Sequence, residues 1–233
     1  MNRNARILNK LYYAMRLEGG CMSEKKIHYL AIGDSLTVGV GAPPGFGFVN
    51  QYQRLLEESL GKEVYLVNLG ENGITSGELL QLLIDDADIC ALVSKADIIT
   101  LSVGGNDLLK AAKPFMDDGE IRYLRLSCKR FLEHFTQIIS IINQSKNNSP
   151  HKFMIQVVDI YNPFPQIRLS GFWVKKFNKH IRSFEGRSLL VTDVYDAFLG
   201  REVEFLSSDH IHPNEEGYKV IAEQIHLLGQ KLE

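Results

Sequence analysis

Ser35 stands where an apolar run, Tyr29-Leu-Ala-Ile32, breaks off in Gly33-Asp34, and a glycine-rich stretch follows it. Far along the chain, Asp209 and His212 stand three residues apart in Ser208-Asp-His-Ile-His-Pro213. Between these two places lie Gly70 and Gly73, in Asn68-Leu-Gly-Glu-Asn-Gly73, and Asn106, in Gly104-Gly-Asn-Asp107. Together they are the parts of an acyl-transfer site. A serine hydroxyl is a weak nucleophile until a base accepts its proton, and a histidine can do so near neutral pH. A carboxylate on the far imidazole nitrogen sets the tautomer and steadies the imidazolium. Backbone N–H groups and an amide then hold the developing oxyanion, each donor being worth about 3 to 4 kcal/mol.

Taken singly, each residue has a plainer use. Ser35 and Asp34 suit a turn, and Asn106 or Asp107 can cap a helix. The pattern G-x-S-x-G is absent, since residue 37 is Thr, so this is not the nucleophile elbow of the α/β-hydrolases. The order is Ser, Asp, His, and the last two are close enough to come from one loop. Pro213 biases His212 away from helical geometry, so that loop should end there with a helix just beyond. His210 is a second histidine in the same loop, and Gly70 a second glycine near Gly73; Pro213 favours His212 as the base.

Elements far apart in sequence must gather these residues. Apolar, β-branched-rich runs at 27–32, 64–69, 97–103, 153–159 and 189–194 are nearly continuous in hydrophobicity. That pattern suits strands buried on both faces of a parallel sheet. Helical periodicity lies between them. It is clearest over 121–142, where Ile121, Leu124, Cys128, Phe131, Leu132, Phe135, Ile138, Ile139 and Ile142 share one stripe. Residues 77–93 and 171–184 also read as helices. A last helix starts after Asn214, a good cap, with Glu215 and Glu216 at its positive end. Alternating strands and helices imply a three-layer α/β fold with right-handed crossovers. In such sheets ligands bind beyond the carboxyl ends of the strands, and the polar clusters containing Ser35, Gly73 and Asn106 all fall there.

The chain of 233 residues has room for one domain with a full core. We expect that domain over 23–233, behind a short basic extension over 1–22 that carries Arg3, Arg6, Lys10 and Arg16. That extension lacks the uninterrupted apolar stretch of a secretion signal, so a cytoplasmic location is expected. A net charge of −2 offers nucleic acid no basic field. No apolar run reaches the roughly 18 residues of a membrane span. The three cysteines, Cys21, Cys90 and Cys128, show no metal-like spacing or disulfide framework.

With these four clusters in order on a compatible pattern of elements, the sequence resembles the SGNH, or GDSL, hydrolases. Gly33-Asp-Ser-Leu36 matches their first block, 68–76 their second, Gly104-Gly-Asn-Asp107 their third, and Asp209-His-Ile-His212 their last. The resemblance spans about residues 27–230 and looks strongest to the bacillus-type lipase and acylhydrolase branch, which includes spore-associated lipases. It implies a flavodoxin-like five-stranded sheet of order 2-1-3-4-5, no cofactor, and hydrolysis of esters or thioesters of lipid or other small molecules. It further implies Ser35 as nucleophile, Asp209 and His212 as its partners, and an oxyanion hole from Ser35, Gly73 and Asn106. The family often has glycine between the Asp and the His of the last block, where this chain has His210. A spore-associated location is the alternative to the cytoplasm.

Aromatic and apolar residues crowd the expected site loops: Pro43, Pro44, Phe46, Phe48, Tyr161, Phe164, Phe172, Trp173, Phe198 and Phe205. They are either half-buried loop anchors or the walls of an acyl-chain groove. We take the groove, with Phe46, Leu108, Phe164 and Trp173 as its candidate contacts. Against a serine esterase or lipase stand two alternatives, a carbohydrate O-acetyl esterase and a non-catalytic flavodoxin-like binding module.

Overall fold

The computed structural model describes residues 26–146 and 153–230. The basic extension 1–22, Cys21 and His151 lie outside the described residues. Strands β1 (Ile27–Gly33), β2 (Val64–Asn68), β3 (Ile98–Ser102), β4 (Met154–Val158) and β5 (Leu189–Thr192) form one parallel sheet. Its order is β2-β1-β3-β4-β5, as the resemblance implied. Successive strand residues face opposite layers. Leu30 and Ile32 join one core while Tyr29 and Ala31 join the other. Both faces are therefore dry, which is why the strands read as unbroken apolar runs rather than alternating ones.

Ten helices connect and cover the strands among the described residues: α1 (Ser35–Val38), α2 (Phe48–Leu60), α3 (Ser76–Asp85), α4 (Ala87–Lys95), α5 (Gly105–Asp118), α6 (Arg122–Lys146), α7 (Ser170–Arg182), α8 (Val194–Phe198), α9 (Glu202–Phe205) and α10 (Glu215–Gly229). One layer is anchored by α6, whose Phe131, Phe135, Ile138 and Ile142 are fully buried, with Phe177 and Ile181 of α7. The other pairs α2 with α10 through Phe48, Tyr52, Tyr218, Ile221 and Ile225. Each such side chain contributes about 1.5–3 kcal/mol by leaving water.

One expectation needs correction, and two long helices went unread. The single helix read over 77–93 is two helices, broken at Asp86. That residue is extended (φ −113°, ψ 99°) and its carboxylate accepts the Asp88 and Ile89 amides, starting α4 afresh. Helices α2 and α5 had no sequence expectation. Neither opens on a side-chain cap, and α5 carries Pro114 inside it, which removes one backbone donor and masks the helical signal. The α5 helix matters most here, because it walls the site. The start of α10 is as expected, with the Asn214 side chain accepting the Gly217 amide at 2.9 Å.

The candidate active site

The buried strand β1 delivers Ser35 to the carboxyl edge of the sheet. Gly33 pairs with Ser102 of β3, and a Cβ there would lie 2.4 Å from the Ser102 carbonyl, so only glycine fits. The Asp34 carboxylate accepts the Ser102 hydroxyl at 2.7 Å and the Leu36 amide at 3.1 Å, capping α1. Burial raises the Asp34 carboxyl above the ordinary carboxylate range, and the Ser102 and Leu36 bonds offset part of that rise. Asp34 therefore tethers the turn, as expected of it. Ser35 is the first residue of α1, and its own amide has no acceptor among the described residues.

The second part comes from a closed loop before α10. Leu206 bridges Pro213, and the Ser207 amide donates to the His212 carbonyl at 2.8 Å. Inside the loop, Asp209 Oδ1 accepts the Ile211 and His212 amides at 2.8 Å each and the Ser207 hydroxyl at 2.9 Å. Its Oδ2 lies 2.6 Å from His212 Nδ1, and His212 Nε2 lies 2.9 Å from Ser35 Oγ. Partial desolvation pushes the Asp209 carboxyl up. The bonds from the His212 ring and from the loop donors outweigh it and hold the carboxyl well below its usual range. Tyr161 Oη donates to the Ile211 carbonyl at 2.5 Å and pins the loop from the β4 side. Of the two histidines, His212 alone reaches Ser35. His210 instead takes a left-handed backbone (φ +56°), the conformation glycine adopts freely, which accounts for the family's glycine there.

The glycine-rich tail after Ser35 serves this loop. A Cβ on Gly41 (φ +98°) would lie 2.5 Å from the Pro213 carbonyl and 2.9 Å from His212 Cβ. Gly39 packs against Gly47. The tail is the seat of the histidine loop.

Two glycines competed for the next position. The Gly70 amide is engaged, donating to Asn68 Oδ1 at 2.8 Å. Gly73 has φ +80°, and its amide has no acceptor among the described residues. Next to it, the Ile74 carbonyl accepts one N–H of the Asn106 amide at 2.9 Å. That leaves the second N–H of Asn106 unused. Asn106 lines the same cavity as Ser35 and His212.

This cavity, about 690 Å³, runs from Ser35 between α5 and the segment 158–174. Leu108, Ala112 and Phe115 form the α5 wall; Tyr161, Phe164 and Trp173 face them. Of the four candidate contacts, Leu108, Phe164 and Trp173 line the cavity. Phe46 does not: it lies half exposed under the Arg54 guanidinium, 5.8 Å from its ring centre. Phe48, Phe198 and Phe205 are core anchors beneath the other layer. The α5 wall went unread beyond Leu108 because the helix itself did. Among the described residues no group of three His, Cys, Asp or Glu side chains comes together as a metal site, and no helix is long and apolar enough to cross a membrane.

Comparison with known proteins places the chain in a family. Residues 31–220 match the model of the GDSL-like Lipase/Acylhydrolase family. A spore germination lipase, LipC, of Bacillus licheniformis is 34% identical over 207 residues, covering 87% of this chain and 96% of that protein. The crystal structure of the lipase Lip_vut3 from a goat rumen metagenome is 34% identical, with a TM-score of 0.83 over 89% of this chain and all of that one. A family 3 carbohydrate esterase of Clostridium thermocellum shares the fold, at 19% identity and a TM-score of 0.61 over 89% of this chain and 97% of that one. The chain belongs to the GDSL-like lipase/acylhydrolase family and is an ester-cleaving hydrolase.

Proposed function

We propose that this hydrolase is a serine esterase for acyl chains longer than acetyl, working through Ser35, His212 and Asp209 and a covalent acyl-enzyme. The observation that carries the reading is the relay from Asp209 Oδ2 through His212 to Ser35 Oγ, opening onto an apolar cavity of about 690 Å³. His212 Nε2 takes the Ser35 proton as Oγ attacks the ester carbonyl. Asp209, ionised, holds the Nδ1–H and steadies the imidazolium. The free amides of Ser35 and Gly73 and the second N–H of Asn106 receive the oxyanion. His212 then protonates the leaving alcohol, and water activated by the same nitrogen hydrolyses the acyl-enzyme.

The cavity supports an acyl chain over a sugar acetyl group, because its walls are aliphatic and aromatic far beyond the space two carbons need. Rates across an ester series from acetyl to long acyl test this. Each added methylene buried should raise kcat/KM about fourfold, from about 0.8 kcal/mol per CH2, until the cavity is full. Activity confined to acetyl esters would overturn the reading in favour of a deacetylase. A fluorophosphonate probe should label Ser35 and no other residue; the absence of both label and turnover would leave a binding module. Of the two locations read from the sequence, the likeness to a spore germination lipase supports the spore-associated one.

A further inference from the structure

A second serine, histidine and aspartate meet behind the first set. Ser76 opens α3, Asp107 lies in the first turn of α5, and His134 is on α6. The Ser76 hydroxyl donates to Asp107 Oδ1 at 2.6 Å, and the Ser76 amide donates to Asp107 Oδ2 at 2.8 Å. His134 Nδ1 lies 3.0 Å from Ser76 Oγ. A carboxylate only accepts, so the single hydroxyl proton of Ser76 is used on Asp107. Its oxygen must then accept from His134, which places a proton on Nδ1. Ser76 is fully buried and does not line the cavity, so it is no nucleophile.

The neighbours of this cluster say what it serves. Gly73 is three residues before Ser76, and Asn106 immediately precedes Asp107. Asn106 itself donates to the Ile74 carbonyl. Ser127 of α6 adds a bond to the Asp107 carbonyl at 2.8 Å. Gly77 makes room for the histidine, since a Cβ there would lie 3.0 Å from the His134 ring. The long helix α6, whose apolar face is buried in the core, thus grips the β2–α3 loop and the start of α5 together. Burial raises the Asp107 carboxyl above its ordinary range, and the two Ser76 bonds offset part of that rise.

We propose that Asp107, Ser76 and His134 are positioning residues that hold the Gly73 amide and the Asn106 side chain at a fixed separation, so that the oxyanion hole is set before substrate arrives. The proposal rests on the oxyanion roles given above to Gly73 and Asn106. Preorganised donors stabilise the transition state because they need no rearrangement as charge develops. A misplacement of about 1 Å can cost on the order of 100-fold in rate. The acyl chamber is formed by other residues and is untouched by this cluster.

The test compares the full-length protein with Asp107→Asn, Ser76→Ala, His134→Ala and His134→Gln on one short soluble ester. We expect kcat to fall about 10- to 100-fold in Asp107→Asn, with KM within about threefold. Ser76→Ala and His134→Ala should follow in the same sense. His134→Gln keeps a donor and should recover part of the loss. The fluorophosphonate labelling rate of Ser35 should fall in step with kcat. On an Asn106→Ala background, Asp107→Asn should cost less than it does on the wild type, since one of the two donors it positions is gone. Ile142→Ala, a core truncation on the same helix away from the cluster, should lower Tm and keep kcat, separating positioning from general destabilisation. If Asp107→Asn does not fold, Ser76→Ala and His134→Gln carry the test. Unchanged kcat in folded variants, a loss only in KM, or a loss that multiplies with that of Asn106→Ala would overturn the inference. Undiminished turnover in Ser35→Ala is a different failure, of the proposed function itself.

Discussion

Ser35 Oγ and His212 Nε2 lie 2.9 Å apart although 177 residues separate them in the chain. Each is held from its own side. Gly33 and Asp34 fix the serine on β1, and the bonds around Asp209 fix the histidine. The contact is therefore a meeting of two preformed loops, and most of its consequences can be measured.

The first concerns Asp209. Its folded pKa lies below the ordinary value for Asp of about 3.9. A depressed carboxyl contributes stability above that ordinary value and loses it as pH falls through the folded pKa. Asp209 should thus stay ionised throughout the active range, and the acid limb of kcat/KM should not report it. Asp209→Asn should lower kcat on the order of 10⁴-fold, because the amide no longer enforces the Nδ1–H tautomer. A pH–rate profile of the wild type and steady-state rates of the variant check both statements.

The second concerns Gly41. Gly41→Ala places a methyl against the Pro213 carbonyl and His212 Cβ in a backbone region alanine avoids. Displacing His212 should lower kcat and the labelling rate of Ser35 on the order of 10- to 100-fold. Gly45→Ala bears a similar backbone strain (φ +84°) but has nothing within 4 Å of the new methyl. It should lose stability and keep kcat.

The third concerns the cavity. Ala112→Phe fills space beside Leu108 and Phe115, away from Ser35. Long acyl esters should lose kcat/KM in proportion to the methylenes excluded, about fourfold each, while the shortest esters keep theirs. An equal loss at every chain length would place the chain elsewhere.

The fourth is a stability prediction. Asp159 is fully buried between the α8 amides and Arg182. Desolvation outweighs those partners and raises its pKa to about 6. A raised folded pKa contributes stability that is full below the ordinary value near 3.9 and lost as pH rises through about 6. The wild type should accordingly lose on the order of 3 kcal/mol across that window from this group alone. Asp159→Asn, which stays neutral, should lack that share of the slope and so gain on the wild type as pH rises from 4 to 7. Denaturant titrations of both proteins between pH 4 and 7 measure it.

The architecture was legible in the sequence because the central strands are buried on both faces, and continuous apolar runs report that directly. The edge of the sheet was legible for a related reason. Polar and glycine residues that end such runs have no place in the layers, so the clusters around Ser35, Gly73 and Asn106 marked the site before any contact was known. Helices α2 and α5 were not legible, because each opens on glycine without a capping side chain and α5 contains Pro114.

Residue types and order alone thus determined a parallel α/β sheet, an acyl-transfer kit at its carboxyl edge, and a family with matching blocks. Tertiary structure decided the rest. It engaged Gly70 and left Gly73 free, put His212 rather than His210 on Ser35, took Phe46 out of the cavity, and turned the glycine tail into the seat of the histidine loop. It also brought His134 onto Ser76 across 58 residues. The physical reason is common to all of these. Burial and periodicity are properties of short segments and leave a local pattern in the sequence. A hydrogen bond or a close approach between distant segments belongs to the pair, and exists only once the sheet has set the two loops side by side.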